Sequence, residues 1–251
     1  MVFLFLPPMK NQQIFGIHSV LEALHSDQEI DKIFIQKSSN NSGIKEITSL
    51  ASKEGIKISY VPIEKLNRLT KENHQGVIAK ISPISFISIE ELLETTFQKN
   101  ENPIFLILDE LTDVRNVGAI IRTAECTGVS GIILPKQGGA AINDQTVKTS
   151  TGAIFNIPMC KVDHLKDALF YLASYNVQTV AATEKTDHYI YNVDFKKPTA
   201  IIMGSEGKGV SKSLLKMVNY KAKLPMKGEI SSLNVSVACG AILYEVVRQR
   251  F

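Results

Sequence analysis

PIFLILDELTDVRNVGAIIRTAECTGVSGIILP, residues 103–135, decides the fold class. Residues 103–110 form a continuous apolar run, the pattern of a strand whose two faces are both covered. Residues 117–127 carry helical periodicity and stop at Gly128, a residue suited to the position just past a helix. SGIILP (130–135) then reads as a second strand. Further out, DHLKDALFYLAS (163–174) places Leu165, Leu169 and Leu172 on one helical face, and VQTVAAT (177–183) and TAIIMG (199–204) read as strands. A closing helix is predicted from about 234 to 248. Alternating strands and helices of this kind predict a mostly parallel sheet with helices on both faces, spanning 103–251.

Toward the N-terminus the alternation continues on a smaller scale. Ile17, Val20, Leu21 and Leu24 recur at helical spacing, as do Ile44, Ile47, Leu50 and Ala51. IDKIFIQ (30–36), KISYVP (57–62) and GVIAKI (76–81) read as strands, and IEKLNRLT (63–70) as a short helix. Residues 9–81 are therefore expected to form a small α/β domain. Residues 82–102 contain Pro83, a short helical stretch over 88–97 and the polar run that ends at Pro103, and are read as a linker.

Composition narrows the class without naming it. The 251 residues are 44% hydrophobic and 21% charged with a net charge of +3, ordinary for a globular chain with a sizeable core. No segment is a basic tail, so charge alone scarcely favours nucleic acid as a partner. Cys126, Cys160 and Cys239 are odd in number and form no CxxC pair, and the five histidines form no HExxH motif. Neither a disulfide framework nor a metal site is expected, and a reducing cytoplasm fits. The opening MVFLFLPP lacks a basic segment and a cleavage site, and its apolar run ends at Pro7. Met9 is the expected start of the functional chain. No run reaches membrane-spanning length.

Polar residues and glycines cluster in DELTDVRNVGAIIRTAECTG (109–128), IIMGSEGKGVS (201–211) and LPMKGEISSLNVSVACGAILYE (224–245). In open α/β sheets, ligands sit beyond the carboxyl ends of strands. Gly204, Gly207 and Gly209 set a flexible turn after a buried strand, but they match neither GxxxxGK[ST] nor GxGxxG. One at a time, the polar residues have ordinary explanations. Asn116 could cap the helix beginning at Val117, Ser232 or Asn234 could cap the last helix, Arg122 could be a solvated helix residue and Glu206 a solvated loop acid.

Together the three segments resemble the three motifs of the SpoU/TrmH branch of the SPOUT RNA methyltransferases, in the family's order and spacing. GIHSVLEAL (16–24) and NHQGVIA (73–79) also resemble the RNA-binding domain of its ribosomal-RNA subgroup. The first motif departs from the family at Asp113–Val114–Arg115–Asn116, where an Asp-Pro pair is common.

The resemblance implies a trefoil knot with crossings at 204–209 and 224–233. It implies S-adenosylmethionine as cofactor, with Ile202, Leu224, Met226 and Leu233 against its adenine, backbone groups of Gly204 and Met226 at the adenine edge, and Gly207 and Asn234 alongside. It implies Asn116, Arg122, Glu206, Ser232 and Asn234 as the catalytic set, and transfer of a methyl group to a ribose 2′-hydroxyl. A guanidinium stays protonated, with a pKa above about 12, so Arg122 suits gripping an RNA phosphate better than acting as a base. Ribosomal RNA is favoured over tRNA as substrate because of the 9–81 domain. An inert RNA-binding protein is the other alternative, though all five catalytic candidates are present. The closing helix is apolar nearly all round, with Val235, Val237, Ala241, Ile242, Val246 and Val247, which suits burial on one side by the sheet and on another by a second subunit.

Overall fold

The computed structural model describes residues 13–26, 28–39, 41–229 and 232–251; the expectation about residues 1–8 lies outside them. The chain divides into two compact units, with the boundary between Ser85 and Phe86.

The first unit runs β1 (Gln13–Phe15), α1 (Ile17–His25), β2 (Ile30–Gln36), α2 (Ser42–Lys53), β3 (Lys57–Val61), α3 (Ile63–Leu69) and β4 (Val77–Ile81). Its sheet has the order β1-β4-β2-β3, with β2 and β3 parallel and β4 antiparallel to both β1 and β2. Period-2 alternation in β2 sends Ile33 and Ile35 to one face and Phe34 to the other. The first face packs on Val20 and Ala23 of α1 and on Ile44, Ile47 and Ala51 of α2. The second packs Phe34 and Ile78 against Leu66 of α3. The NHQG turn ties these layers together. The Gln75 side chain accepts the first backbone N–H of α1, from Ile17, at 3.0 Å. The buried His74 accepts the Gly76 N–H through Nδ1 at 3.0 Å. Its Nε2 then carries the proton and donates to Asn67 Oδ1 at 2.8 Å.

The second unit runs α4 (Ile89–Phe97), β5 (Ile104–Asp109), α5 (Val114–Cys126), β6 (Gly131–Pro135), α6 (Asp144–Thr149), β7 (Met159–Val162), α7 (Leu165–Ser174), β8 (Gln178–Ala182), β9 (Thr199–Gly204), α8 (Lys212–Leu215), β10 (Tyr220–Ala222) and α9 (Val235–Arg250). The sheet order is β10-β8-β9-β5-β6-β7, and every pairing is parallel. All of β5 and β9 is buried, as their unbroken apolar runs require. One face is filled by Phe105, Ile107 and Ile202 beneath α4 and α7. On the other, α5 packs against α6 and α9, and α9 also lies on β9.

Residues 82–102 are not a linker as a whole, because α4 within them belongs to the second unit. Ile89, Leu92 and Leu93 of α4 are buried in the second unit's core. Ile87 extends the sheet edge through its backbone N–H, which donates to Met159 O at 3.0 Å. An apolar stripe at positions i, i+3 and i+4 has to be covered, and the unit beside it does so. Residues 82–86, which cross the boundary between the two units, and the polar turn between α4 and β5 behave as connections. The small elements β1, β7 and β10 and the helices α6 and α8 carry too little periodicity to be read from sequence.

Candidate active site

The connections leaving β5 and β9 diverge. From β5 the chain proceeds to β6 on one side, and from β9 it passes to β10 on the other. Adjacent strands whose connections leave in opposite directions open a crevice at their carboxyl ends. Here Asp109 and Gly204, the last residues of the two strands, are paired neighbours.

Three side chains far apart in sequence meet at this edge. Asn116 Nδ2 donates to Glu206 Oε1 at 2.8 Å. Asn234 Nδ2 donates to the same oxygen at 3.1 Å and to Asn116 Oδ1 at 3.0 Å. Asn234 is held from behind, because its Oδ1 accepts from the backbone N–H and hydroxyl of Ser236, at 2.9 and 2.6 Å. Asn234 is thus the N-cap of α9 and a member of the cluster at once. Asn116 is not a cap. Asp113 caps α5, its carboxylate accepting from the N–H groups of Arg115 at 2.7 Å and Asn116 at 3.4 Å. Val114 takes the first helical position, where proline is otherwise well suited, so the missing Asp-Pro is made good by the cap. Asp113 and Ser236 are positioning residues that the sequence reading did not single out. The signal for Asp113 was the ordinary N-cap preference just ahead of a helix.

The 204–211 loop is fixed by its backbone. Gly209 N–H donates to Ser205 O at 2.8 Å, and Ser211 N–H donates to the buried carboxylate of Asp109 at 2.7 Å. A Cβ on Gly204 would fall 2.0 Å from the Gly209 carbonyl carbon and 2.1 Å from Val210 N, so only glycine permits this return. Gly207 turns with φ +85°, and its Cβ would meet nothing within 4 Å. Within the turn, Ser205 Oγ is buried without a hydrogen-bond partner. Such an orphan costs about 1–3 kcal/mol unless a ligand or water satisfies it.

The remaining candidates divide. Met226 and Leu233 are large apolar residues left 41% and 43% exposed at the same carboxyl edge, and Leu224 is half-buried beside them in sequence. Ile202 does not join them, because its side chain is fully buried in the core beneath α7. Ser232 is exposed and makes no hydrogen bond among the described residues. Arg122 is exposed on α5, without a hydrogen bond or ion pair among the described residues. It lies six residues beyond Asn116, about 9 Å along the helix and on a different face, and does not enter the Asn–Glu–Asn cluster within one chain.

Cys239, in the third motif, is buried in α9, and burial pushes its thiol up to about 12; Cys160 is raised to about 12 by burial and, secondarily, by Glu90. Neither is a nucleophile near neutral pH. No group of three or more His, Cys, Asp or Glu among the described residues is placed to hold a metal ion. No helix among them is long and apolar enough to cross a membrane.

Comparison with known proteins shows the family of the chain. Residues 103–244 match the SpoU rRNA Methylase family, and residues 13–87 match the RNA 2'-O ribose methyltransferase substrate binding family. The chain is 36% identical over 241 residues to the Putative TrmH family tRNA/rRNA methyltransferase YacO of Bacillus subtilis, covering 96% of this chain and 97% of that one. Its fold is similar to that of the AdoMet bound rRNA methyltransferase from Sinorhizobium meliloti, with a TM-score of 0.62 at 24% identity over 95% of this chain and 87% of the other. It is also similar to the TrmH/SpoU tRNA modifying enzyme of A. aeolicus, with a TM-score of 0.54 at 32% identity over 64% of this chain and 82% of that one. The second unit, with three motif residues joined at the crevice between β5 and β9, and the first unit ahead of it both carry family matches: the chain belongs to the SpoU/TrmH family of RNA methyltransferases.

Proposed function

We propose that this chain methylates a ribose 2′-hydroxyl of structured ribosomal RNA, with S-adenosylmethionine as the methyl donor. The convergence of Asn116, Glu206 and Asn234 at the crevice carries the proposal. The residues present suit the cofactor. Ser205 Oγ lacks a partner, Gly204 lets the loop at Gly209 and Val210 return tightly against the end of β9, and Met226 and Leu233 offer apolar surface to an adenine. Gly204, Gly207, Leu224, Met226, Leu233 and Asn234 would hold it, while Ile202 supports β9 from the core. The passage of the chain through 204–209 and 224–233 would be the trefoil knot.

When bound, S-adenosylmethionine supplies a methyl group already activated on a cationic sulfur. The chain's own work is orientation and removal of one proton. Arg122 binds the phosphate beside the reacting ribose through its planar fork, lowers the hydroxyl's pKa and lets the proton pass through that phosphate to solvent. Glu206 fixes the amides of Asn116 and Asn234, and Asn116 keeps an amide edge for the ribose. Ser232 lies just ahead of the Asn234 cap and completes the pocket mouth.

Ribosomal RNA is favoured because the likeness to an rRNA methyltransferase spans 95% of this chain, against 64% for the tRNA-modifying enzyme. A guanosine of large-subunit rRNA is the proposed target and the cytoplasm the proposed compartment. Val237, Ala241 and Tyr244 form an exposed stripe on α9, with Val237 57% and Tyr244 58% exposed, and we assign it to a homodimer contact. Calorimetry in the presence of a chelator is expected to give one cofactor site per subunit. Binding that requires added divalent metal, or no binding, would overturn the site. Mapping 2′-O-methyl groups in total RNA with and without the gene then identifies the target.

A further inference from the structure

The first unit carries a row of like charges that its own fold does not neutralise. Lys32 on β2 lies directly opposite Lys80 on β4 and Lys57 on β3. Directly opposed residues on neighbouring strands share a sheet face, with Cβ atoms about 4.5–5.5 Å apart, and like charges there are destabilising. A fourth lysine reaches the same place from α3. Lys65 Nζ is 5.7 Å, and Lys32 Nζ 5.0 Å, from the centroid of the one Phe34 ring. Among the groups acting on Lys32, Lys57, Lys65 and Lys80 oppose its charge and Asp31 favours it. Burial and then these neighbours hold the Lys32 ammonium below the ordinary lysine range. Lys57 and Lys65 are exposed and Lys32 and Lys80 half-buried, so the row is open to a ligand. None of the four makes an ion pair among the described residues.

We propose that Lys80, Lys32, Lys57 and Lys65 form a track for the phosphodiester backbone of the substrate RNA. The proposal rests on the RNA-methylating function above and assigns the first unit's grip on its substrate to one surface. Three adjacent strands span about 10 Å, which suits successive phosphates better than a single anion. Bound phosphates would remove the repulsion that the folded unit otherwise carries. Because backbone contacts position an RNA without reading its sequence, this surface would set affinity and register and leave the choice of nucleotide to other contacts. A strong electrostatic grip on a chain of net charge only +3 is possible because the four charges are gathered on one face.

The test uses the full chain with two probes, a 20-base-pair RNA duplex of arbitrary sequence and polyglutamate. The quadruple variant Lys32→Gln/Lys57→Gln/Lys65→Gln/Lys80→Gln should bind the duplex more weakly, and the slope of log affinity against log salt should shrink by about 3, near 0.7–0.9 per lost contact. The exposed single variant Lys57→Gln should lose about one contact's worth of slope and melt no lower than the parent, since repulsion is relieved. Cofactor binding should be unchanged in both, and Lys166→Gln, on α7, should change nothing. Unchanged duplex affinity and slope in a parent that binds RNA and methylates would overturn the track and leave the function standing. Loss confined to polyglutamate binding would assign the row to an acidic protein instead and overturn the track equally. A parent with no salt-dependent RNA affinity would bring down the function and the track together.

Discussion

Arg122→Ala is expected to lower turnover roughly 10²–10⁴-fold, the range for a group that takes part in proton transfer. Cofactor affinity and melting temperature should be close to those of the parent. The structural reason is the position of Arg122, which is exposed on α5 and has no hydrogen-bond or ion-pair partner among the described residues, so truncation leaves neither a cavity nor an orphaned polar group. Arg122→Lys should also be poor, because a point-charge ammonium cannot reproduce a bidentate fork on a phosphate. Single-turnover methyl transfer with saturating RNA, set beside calorimetry of the cofactor, separates these effects. A large fall in cofactor affinity with turnover preserved would place Arg122 on the cofactor side and defeat its assignment. Glu206→Gln makes an informative companion. The amide oxygen can still accept both of the hydrogen bonds that Oε1 receives from Asn116 and Asn234, but it loses the charge that strengthens them.

The sequence announced most of this architecture through periodicity. The extents of β2 and β9 match their apolar runs IDKIFIQ and TAIIMG, β9 because it is buried throughout and β2 because Ile30, Ile33, Phe34 and Ile35 anchor it between polar turns. The error at 82–102 arose because a linker and a short amphipathic helix with a polar exit look alike until the partner of the apolar stripe is known. The site was legible only in part. Asn116, Glu206 and Asn234 were each explicable as caps or solvated groups, and only the fold shows one carboxylate oxygen receiving both amides across 90 and 28 residues of chain. Ile202 faces the core and not the ligand, a choice that sequence leaves open for an apolar residue just before a glycine turn. The lysine row was invisible for a different reason. Lys32, Lys57 and Lys80 are scattered through an unremarkable charge pattern, and it is strand register that makes them neighbours.

Gly204→Ala should be far more damaging than Gly207→Ala, although the second position has the more unusual backbone. At Gly207 the φ of +85° costs an alanine about 1 kcal/mol, and the added methyl meets nothing within 4 Å. At Gly204 the φ is unremarkable, but the methyl would enter the backbone of Gly209 and Val210 at 2.0–2.4 Å. No side-chain rotation relieves a clash between a Cβ and main-chain atoms, so β9 or the returning loop has to move. The loop cannot yield freely, because Ser211 N–H is fastened to the buried Asp109 carboxylate and Gly209 N–H to Ser205 O. Overpacking of this kind costs about 3 kcal/mol, the upper end of its usual range. Relief by loop displacement would carry Ser205 and Glu206 with it, and about 3 kcal/mol corresponds to roughly 10²-fold in cofactor affinity. Asn116 and Asn234 would lose their common acceptor in the same movement. Calorimetry and denaturant unfolding of the two alanine variants, read together, distinguish the cases. Gly207→Ala should bind cofactor within a few-fold of the parent, whereas Gly204→Ala should bind it up to about a hundredfold more weakly. Parent-like affinity in Gly204→Ala would show that the turn between β9 and α8 is not part of the cofactor site, and would move the search to the 224–233 segment alone.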